Sequence, residues 1–364
     1  GKDNIAAISF GGAPMDFSFE KNVGAILHMY LGGQAVGESV ADLISGEVNP
    51  SGKLAETIPF SEKDTPAWRY FAPPNDDVEY RESIFVGYRY YETFHVPVKY
   101  PFGYGLSYTS FSYSELNVPE VYSGGKIQIR FKIKNIGKVS GAEIAQLYVC
   151  PNESDVIRSH IELKGFQKIY LHPGEEKEVI LELDERSFSV SDVEKKAFSM
   201  LSGKYQICIG ASVHDLQLKA NMEVVGNSYF RNERELFPDY FREQPHGMEI
   251  SAEQFYQLLG GEPKHDKEKK RGEYTVYDSY QDVVNVSMFG KFVRGVVHIG
   301  LKIILRGKSE RDPAFKMVKM GVEEGNLEGL IATSGGIATP KLIDMLVYNA
   351  NKKYLQAFKR LLKK

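Results

Sequence analysis

The sequence predicts a multidomain chain that is α/β at its start, all-β in its middle and helical at its end. Three observations carry that prediction. Short apolar runs closed by glycine open the chain, as in Asn4–Phe10 followed by Gly11-Gly12. Apolar and charged residues then alternate with period two in repeated runs across 118–226. After the charged stretch 265–271 the periodicity becomes helical. A length of 364 residues suits roughly two or three domains of about 100–200 residues each.

In residues 1–117, Asn4–Phe10 reads as a short buried strand, Val23–Met29 as a strand or a helix, and Gly33–Ser45 as a helix ended by Gly46. From Asn49 onward prolines make the segment loop-rich. One or two parallel strands cannot bury both faces of a parallel sheet, so the region reads as the back half of a larger α/β domain. With no Met at position 1, the chain is expected to begin inside a longer protein.

Residues 118–226 behave differently. Ile127, Ile129, Phe131 and Ile133 alternate with Lys126, Gln128, Arg130, Lys132 and Lys134, the signature of a half-buried strand. Similar runs recur at 142–150, 161–171, 176–183, 204–211 and 216–225, separated by turn clusters such as His172-Pro173-Gly174-Glu175. About seven short strands in roughly 105 residues is the pattern of a β-sandwich of immunoglobulin or fibronectin type III kind. Its inward set should include Ile129, Phe131, Ile133, Leu147, Val149, Leu181, Tyr205, Ile207 and Ile209. Residues 227–274 read as a linker or extended segment. Residues 275–364 read as a helical tail, with Asp278 or Ser279 capping a helix that runs through Leu305, Asp312-Pro313 starting a second, and Thr339-Pro340 opening another after Gly335-Gly336.

Composition excludes several functions. With 45 Lys and Arg against 48 Asp and Glu, the formal charge is −3, which argues against nucleic acid as the main partner. No run of about 20 uncharged apolar residues occurs; the most apolar stretch, Val283–Leu305, is broken by Lys291, Arg294, His298 and Lys302. The opening residues Gly1–Phe10 are not expected to form a signal peptide. Cys150 and Cys208 cannot form a disulfide framework; they should lie on neighbouring strands pointing outward, reduced, in a reducing compartment.

Candidate chemistry is sparse. Glu38 and Asp42 share a helix face, and Asp76, Asp77 and Glu79 crowd one loop; both sets read as solvated acids rather than a catalytic pair. His28, His95, His160, His172 and His298 show no metal-ligand spacing, and neither Gly11-Gly12 nor Gly32-Gly33 continues into a phosphate loop. No metal or other cofactor is expected. Three blocks stand out: Asn49-Pro50-Ser51-Gly52-Lys53-Leu54, Phe85–Glu92, and Tyr100–Phe111 with Gly103 and Gly105. Their aromatics could stack on sugar rings or wedge two domains together, and the wedge is favoured because no reactive pair accompanies them. The cationic, apolar stretch Val283–Leu305 could lie on a membrane surface or pack against the rest of the protein; packing is favoured and a membrane partner is not expected.

Taken together, those three blocks closely resemble the α/β-sandwich domain of family 3 glycoside hydrolases, the group that contains many β-glucosidases. Asn135, Gly137, Gly141, Glu143, Gln146, Glu162–Phe166, Leu171–Glu175, Gly203 and Tyr205 resemble that family's fibronectin-like domain. The resemblance covers about residues 5–225, and the tail is similar to tails of some family members from Gram-positive bacteria. It implies a partial α/β sandwich, then a seven-stranded fibronectin type III-like β-sandwich, in the C-terminal portion of a retaining β-glucosidase-like enzyme that hydrolyses terminal non-reducing β-D-glycosyl residues. The family's nucleophilic Asp lies in a barrel and its acid Glu upstream of the part matched by Asn4–Gly12. No catalytic, cofactor or metal residue is therefore carried over to this chain, which should be inactive without the barrel. A β-glucoside substrate, the missing barrel as partner, a bacterial cytoplasmic location and a homo-oligomeric state compatible with the sequence complete the expectation. The rival reading is a non-catalytic carbohydrate- or protein-binding module.

Overall fold

The structure, a computed structural model, describes all residues except 72–77, 194, 227–231, 263–268, 307, 310 and 363–364. It forms two compact units, Gly1–Pro263 and Lys264–Lys364.

The first unit opens with β1 (Ala6–Ser9) and β2 (Ala25–His28), paired in parallel from Ala6 opposite Ala25 to Ser9 opposite His28. The open choice at 23–29 thus resolves to a strand. Helix α1 (Val36–Ser45) stops at Gly46, whose φ of 82° is the left-handed cap that glycine adopts freely. Next, β3 (Ile58–Pro59), α2 (Tyr88–Thr93) and β4 (Val98–Tyr100) follow, with β3 and β4 antiparallel. Two parallel strands cannot cover their own faces, and apolar side chains here stay open to solvent, Leu31 at 80% and Ile5 at 51%.

The sandwich comprises β5 (Phe111–Asn117), β6 (Val121–Tyr122), β7 (Ile127–Asn135), β8 (Gly141–Pro151) and β9 (Glu162–Leu171). It continues with β10 (Glu176–Leu183), the hairpin β11 (Ser189–Asp192) and β12 (Ala197–Met200), then β13 (Gly203–Gly210) and β14 (Leu216–Val224). One sheet runs β10-β7-β5, the other β6-β14-β13-β8-β9. The expected inward residues meet between them: Ile129, Phe131, Ile133, Leu147, Val149, Tyr205, Ile207 and Ile209 are buried, while Leu181 is half-buried at the rim opposite Ile129. Strand β5 lies ahead of the span whose alternation is visible. Its pairing to β7 slips between Ser114 and Asn117, around Glu115 at φ 54°, so a bulge hides its period.

The stretch after β14 that reads as a linker is folded where it is described. Short α3 (Glu233–Leu236) and α4 (Ala252–Leu259) flank a chain segment that sets Phe237, Tyr240, Met248 and Ile250 against Phe85, Tyr90, Tyr91 and Val96. Tyr90 Oη donates to the Gln244 carbonyl at 2.7 Å, and the Met248 amide donates to the Pro66 carbonyl at 3.0 Å. Apolar residues at irregular spacing bury themselves here without any period to reveal it.

The second unit is helical: α5 (Tyr280–Asn285), α6 (Met288–Ile304), α7 (Pro313–Glu323), α8 (Leu327–Thr333), α9 (Pro340–Ala350) and α10 (Tyr354–Leu362). Ser279, Asp312 and Thr339 cap as their types suggest, accepting from the amides of Asp282, Ala314 and Leu342. The single helix expected from 279 to 305 is two, because Ser287 caps a new start on the Gly290 amide. Gly290 packs so closely that a Cβ there would sit 2.4 Å from the Val284 carbonyl oxygen. Tyr280, Val283, Val284, Val293, Leu327, Leu330, Ile343 and Leu346 form this unit's own core.

Candidate functional site: the seam beneath the sandwich

The three sequence blocks converge where the α/β segment meets β8. Asn49 Nδ2 donates to the Ser140 carbonyl at 3.1 Å, while its Oδ1 accepts from Ser107 Oγ at 3.0 Å and from the Tyr108 amide at 2.8 Å. One side chain thus ties two loops to the sandwich. Lys53 Nζ reaches the Gly105 carbonyl at 3.0 Å and Glu143 at 3.0 Å, with both side chains nearly sealed from water. Leu54 exchanges backbone bonds with the 103–104 loop, Leu54 amide to Tyr104 carbonyl and Gly103 amide to Leu54 carbonyl, both 2.8 Å.

Gln146 completes the seam from β8. Its Nε2 donates to the carbonyls of Gly103 at 3.1 Å and Ala211 at 2.7 Å, and its Oε1 accepts from Tyr148 Oη at 2.5 Å. Gly103 takes φ 80°, and a Cβ there would meet Gln146 Oε1 at 2.1 Å; at Gly105 it would meet the Gly52 carbonyl oxygen at 2.3 Å. These glycines allow backbones to touch. Among the aromatics, Phe102 packs on Tyr88 with ring centres 4.6 Å apart, and Tyr100 stacks on Tyr104 at 5.5 Å. Tyr108 remains 55% exposed with its hydroxyl donating to the Leu43 carbonyl. Lys99 and the Tyr100 hydroxyl hold the Glu20 carboxyl below its usual range.

Glu143 faces Lys53, not a second carboxylate, so the seam does not present the two-carboxylate geometry of a glycosidase. Of the acids singled out in sequence, Glu38 and Asp42 lie exposed on α1, and Glu79 is bonded to Arg81 and to Tyr256 Oη at 2.6 Å. Asp76 and Asp77 fall outside the described residues. The histidines scatter: His28 meets Ser9 Oγ at 2.8 Å, His172 meets Ser140 Oγ at 3.1 Å, and His95 and His160 sit 6.1 Å apart as rings. Among the described residues no group of three His, Cys, Asp or Glu could hold a metal ion.

Cys150 and Cys208 do occupy neighbouring strands and point away from the sandwich core. That outer face is not solvent, however. Tyr88, Phe102, Ile161 and Val213 cover it, so both thiols are buried and free, 3.8 Å apart. Hydrogen bonding to Cys208 and burial push the Cys150 thiol up. Sequence reasoning also missed the 2.8 Å contact between Glu92 and His214, 122 residues apart, for which no local signal exists.

Known proteins share this construction. Residues 2–108 match the model for the glycosyl hydrolase family 3 C-terminal domain, and residues 143–213 match that for a fibronectin type III-like domain. Residues 2–108 and 143–213 thus match, in order, the two segments of a glycoside hydrolase family 3 C-terminal portion. Thermostable β-glucosidase B of Acetivibrio thermocellus is 44% identical over 225 residues, which is 61% of this chain and 30% of that protein. An exo-α-(1→6)-L-arabinopyranosidase of Bifidobacterium breve is 37% identical over 223 residues, 61% of this chain and 29% of that protein. In three dimensions the family 3 β-glucosidase of Bifidobacterium adolescentis superposes with a TM-score of 0.60 at 36% identity, over 62% of this chain and 34% of that one. The chain therefore spans about a third or less of the relatives it matches. The helical unit lies outside both family-model matches.

Proposed function

We propose that this family 3 portion completes a retaining β-glucosidase-like enzyme whose catalytic carboxylates belong to a barrel outside this chain. The observation that carries the reading is the order and coupling of the two matched segments, 2–108 and 143–213, joined by the Asn49, Lys53 and Gln146 contacts within one compact unit. On this reading the seam's task is positional. It fixes the α/β segment so that its bare parallel edge at β1 and β2 receives further strands and presents loops to a sugar site built elsewhere. A terminal β-D-glucosyl residue is the proposed substrate. The similarity to an arabinopyranosidase as well as to β-glucosidases supports selection among sugars by a portion outside this chain. The free thiols of Cys150 and Cys208 support a reducing, cytoplasmic setting.

The test compares the 364-residue chain with the same chain joined to a family 3 barrel segment, on 4-nitrophenyl β-D-glucoside. The chain alone should give no turnover above background and the joined protein should hydrolyse the glucoside. Turnover by the chain alone would overturn the assignment of the carboxylates. Tight calorimetric binding of glucosides by the chain alone would favour the rival reading of a sugar-binding module.

A further inference from the structure

The helical unit differs electrically from everything before it. Residues 264–364 hold 20 Lys and Arg against 11 Asp and Glu, a formal +9 in a chain whose total is −3. Helix α6 concentrates that difference, since it contains no acidic residue between Met288 and Ile304.

At about 100° per residue, α6 divides into three stripes. Val293, Val297 and Leu301 face the unit's core. Lys291, Arg294 and Lys302 lie with His298 on a polar stripe, where Arg294 donates to Asn285 Oδ1 at 2.8 Å. Between the two, Met288, Phe292, Val296, Ile299 and Ile303 fall within an arc of about 80° and stand in solvent, from 54% exposed at Val296 to 84% at Met288. The sequence alone favours packing for this stretch; the exposure of a whole apolar stripe is what points elsewhere. A contiguous apolar face of this length marks an interaction surface.

Charge selects the occupant. A stripe of β-branched and aromatic side chains bordered by cations, with no acid on the helix, matches the boundary between acyl chains and anionic headgroups. Helix α10 repeats part of the combination, with Leu355, Phe358 and Leu362 exposed beside Lys359 and no acid on the helix, while Arg360 turns away to pair with Asp344 of α9 at 2.8 Å. Neither is a span: among the described residues no helix is long and apolar enough to cross a membrane. We propose that α6 seats this protein on an anionic phospholipid surface, with Phe292, Val296, Ile299 and Ile303 at the acyl boundary and Lys291 and Lys302, on the flank of that stripe, among the headgroups.

Flotation of the full chain with vesicles tests this. Vesicles of phosphatidylcholine with about 30% phosphatidylglycerol should capture it about tenfold more strongly than phosphatidylcholine alone, and added salt should weaken capture. The pair Phe292→Ser with Ile303→Ser should lower binding about tenfold, and Lys291→Glu should lower it on anionic vesicles alone. These side chains are exposed, so an unchanged circular dichroism spectrum separates lost binding from lost folding. Failure to float, equal capture by neutral vesicles, or indifference to the serine pair would overturn the proposal. So would self-association abolished by the serine pair with no vesicle capture, which would assign the stripe to a second copy of the chain.

Discussion

Glu82 and Glu143 show how one residue type is handled in two ways inside the same unit. Glu143 is sealed from water but meets Lys53 at 3.0 Å, and Lys53 in turn bonds a carbonyl, so its charge is compensated. Glu82 is only 5% exposed, and its Oε2 finds no hydrogen-bond partner. Burial therefore pushes its carboxyl above the usual carboxylate range. In the unfolded chain that group ionises at its ordinary value, so near and above it the unfolded state binds fewer protons than the folded one. Stability from this site is complete below the ordinary value and is lost as pH rises through the raised one. Glu82→Gln keeps the shape and removes the buried charge. It should stabilise the protein at pH 7, by up to about 1 kcal/mol, and change little near pH 3. Urea melts at the two pH values check this; a variant less stable at pH 7 would show that Glu82 has a charged partner.

At the scale of elements, β7 and β13 are interior strands of the two sandwich sheets. Phe131 and Ile207 come from opposite sheets, and each is at most 1% exposed in one continuous core. Truncating either to Ala should cost about 2–5 kcal/mol in the sandwich transition, read by denaturant melts followed on tyrosine fluorescence. A loss under about 1 kcal/mol would mean the side chain is not packed as found. These strands are legible in sequence because one face is wet and the other dry, which writes a period of two into the residues. The capped helices α7 and α9 are legible for a similar reason, since Asp312-Pro313 and Thr339-Pro340 are local chemistry. Legibility stops where a contact is made by distant partners. The glycine-aromatic character of 100–111 is visible, but Gln146, which Gly103 needs glycine to accommodate, is 43 residues away. The bulge at Glu115, the break at Ser287 and the fold of 232–259 over Phe85 and Tyr91 erase periodicity at the places where it would be sought.

At the scale of the molecule, the two units differ in how complete they are. The first exposes apolar side chains around β1 and β2, where a parallel pair lacks the strands and helices that normally cover it. The second closes on itself: Val283, Val284, Leu327 and Ala350 are fully buried among helices α5 to α9, and Asn351 accepts from the amides of Gly272 and Tyr274 at 2.9 and 3.0 Å while its Nδ2 donates to the Tyr274 carbonyl. That polar clasp fastens the turn-rich lead-in at 272–274 to the end of α9, so entry and exit of the helical core are tied together. A unit of about 100 residues with its own core, caps and clasp meets the requirements of an independent domain. Residues 269–364 produced alone should therefore give a helical spectrum and one cooperative thermal transition. Val284→Asp, which places an uncompensated charge in that core, should abolish the transition, whereas Phe292→Ser on the exposed stripe should leave it within a few degrees, about the spread of ordinary surface substitutions. If residues 269–364 are unfolded alone and gain structure only when joined to the rest of the chain, the burial seen among α5 to α9 is not self-sufficient and the unit is no separate domain.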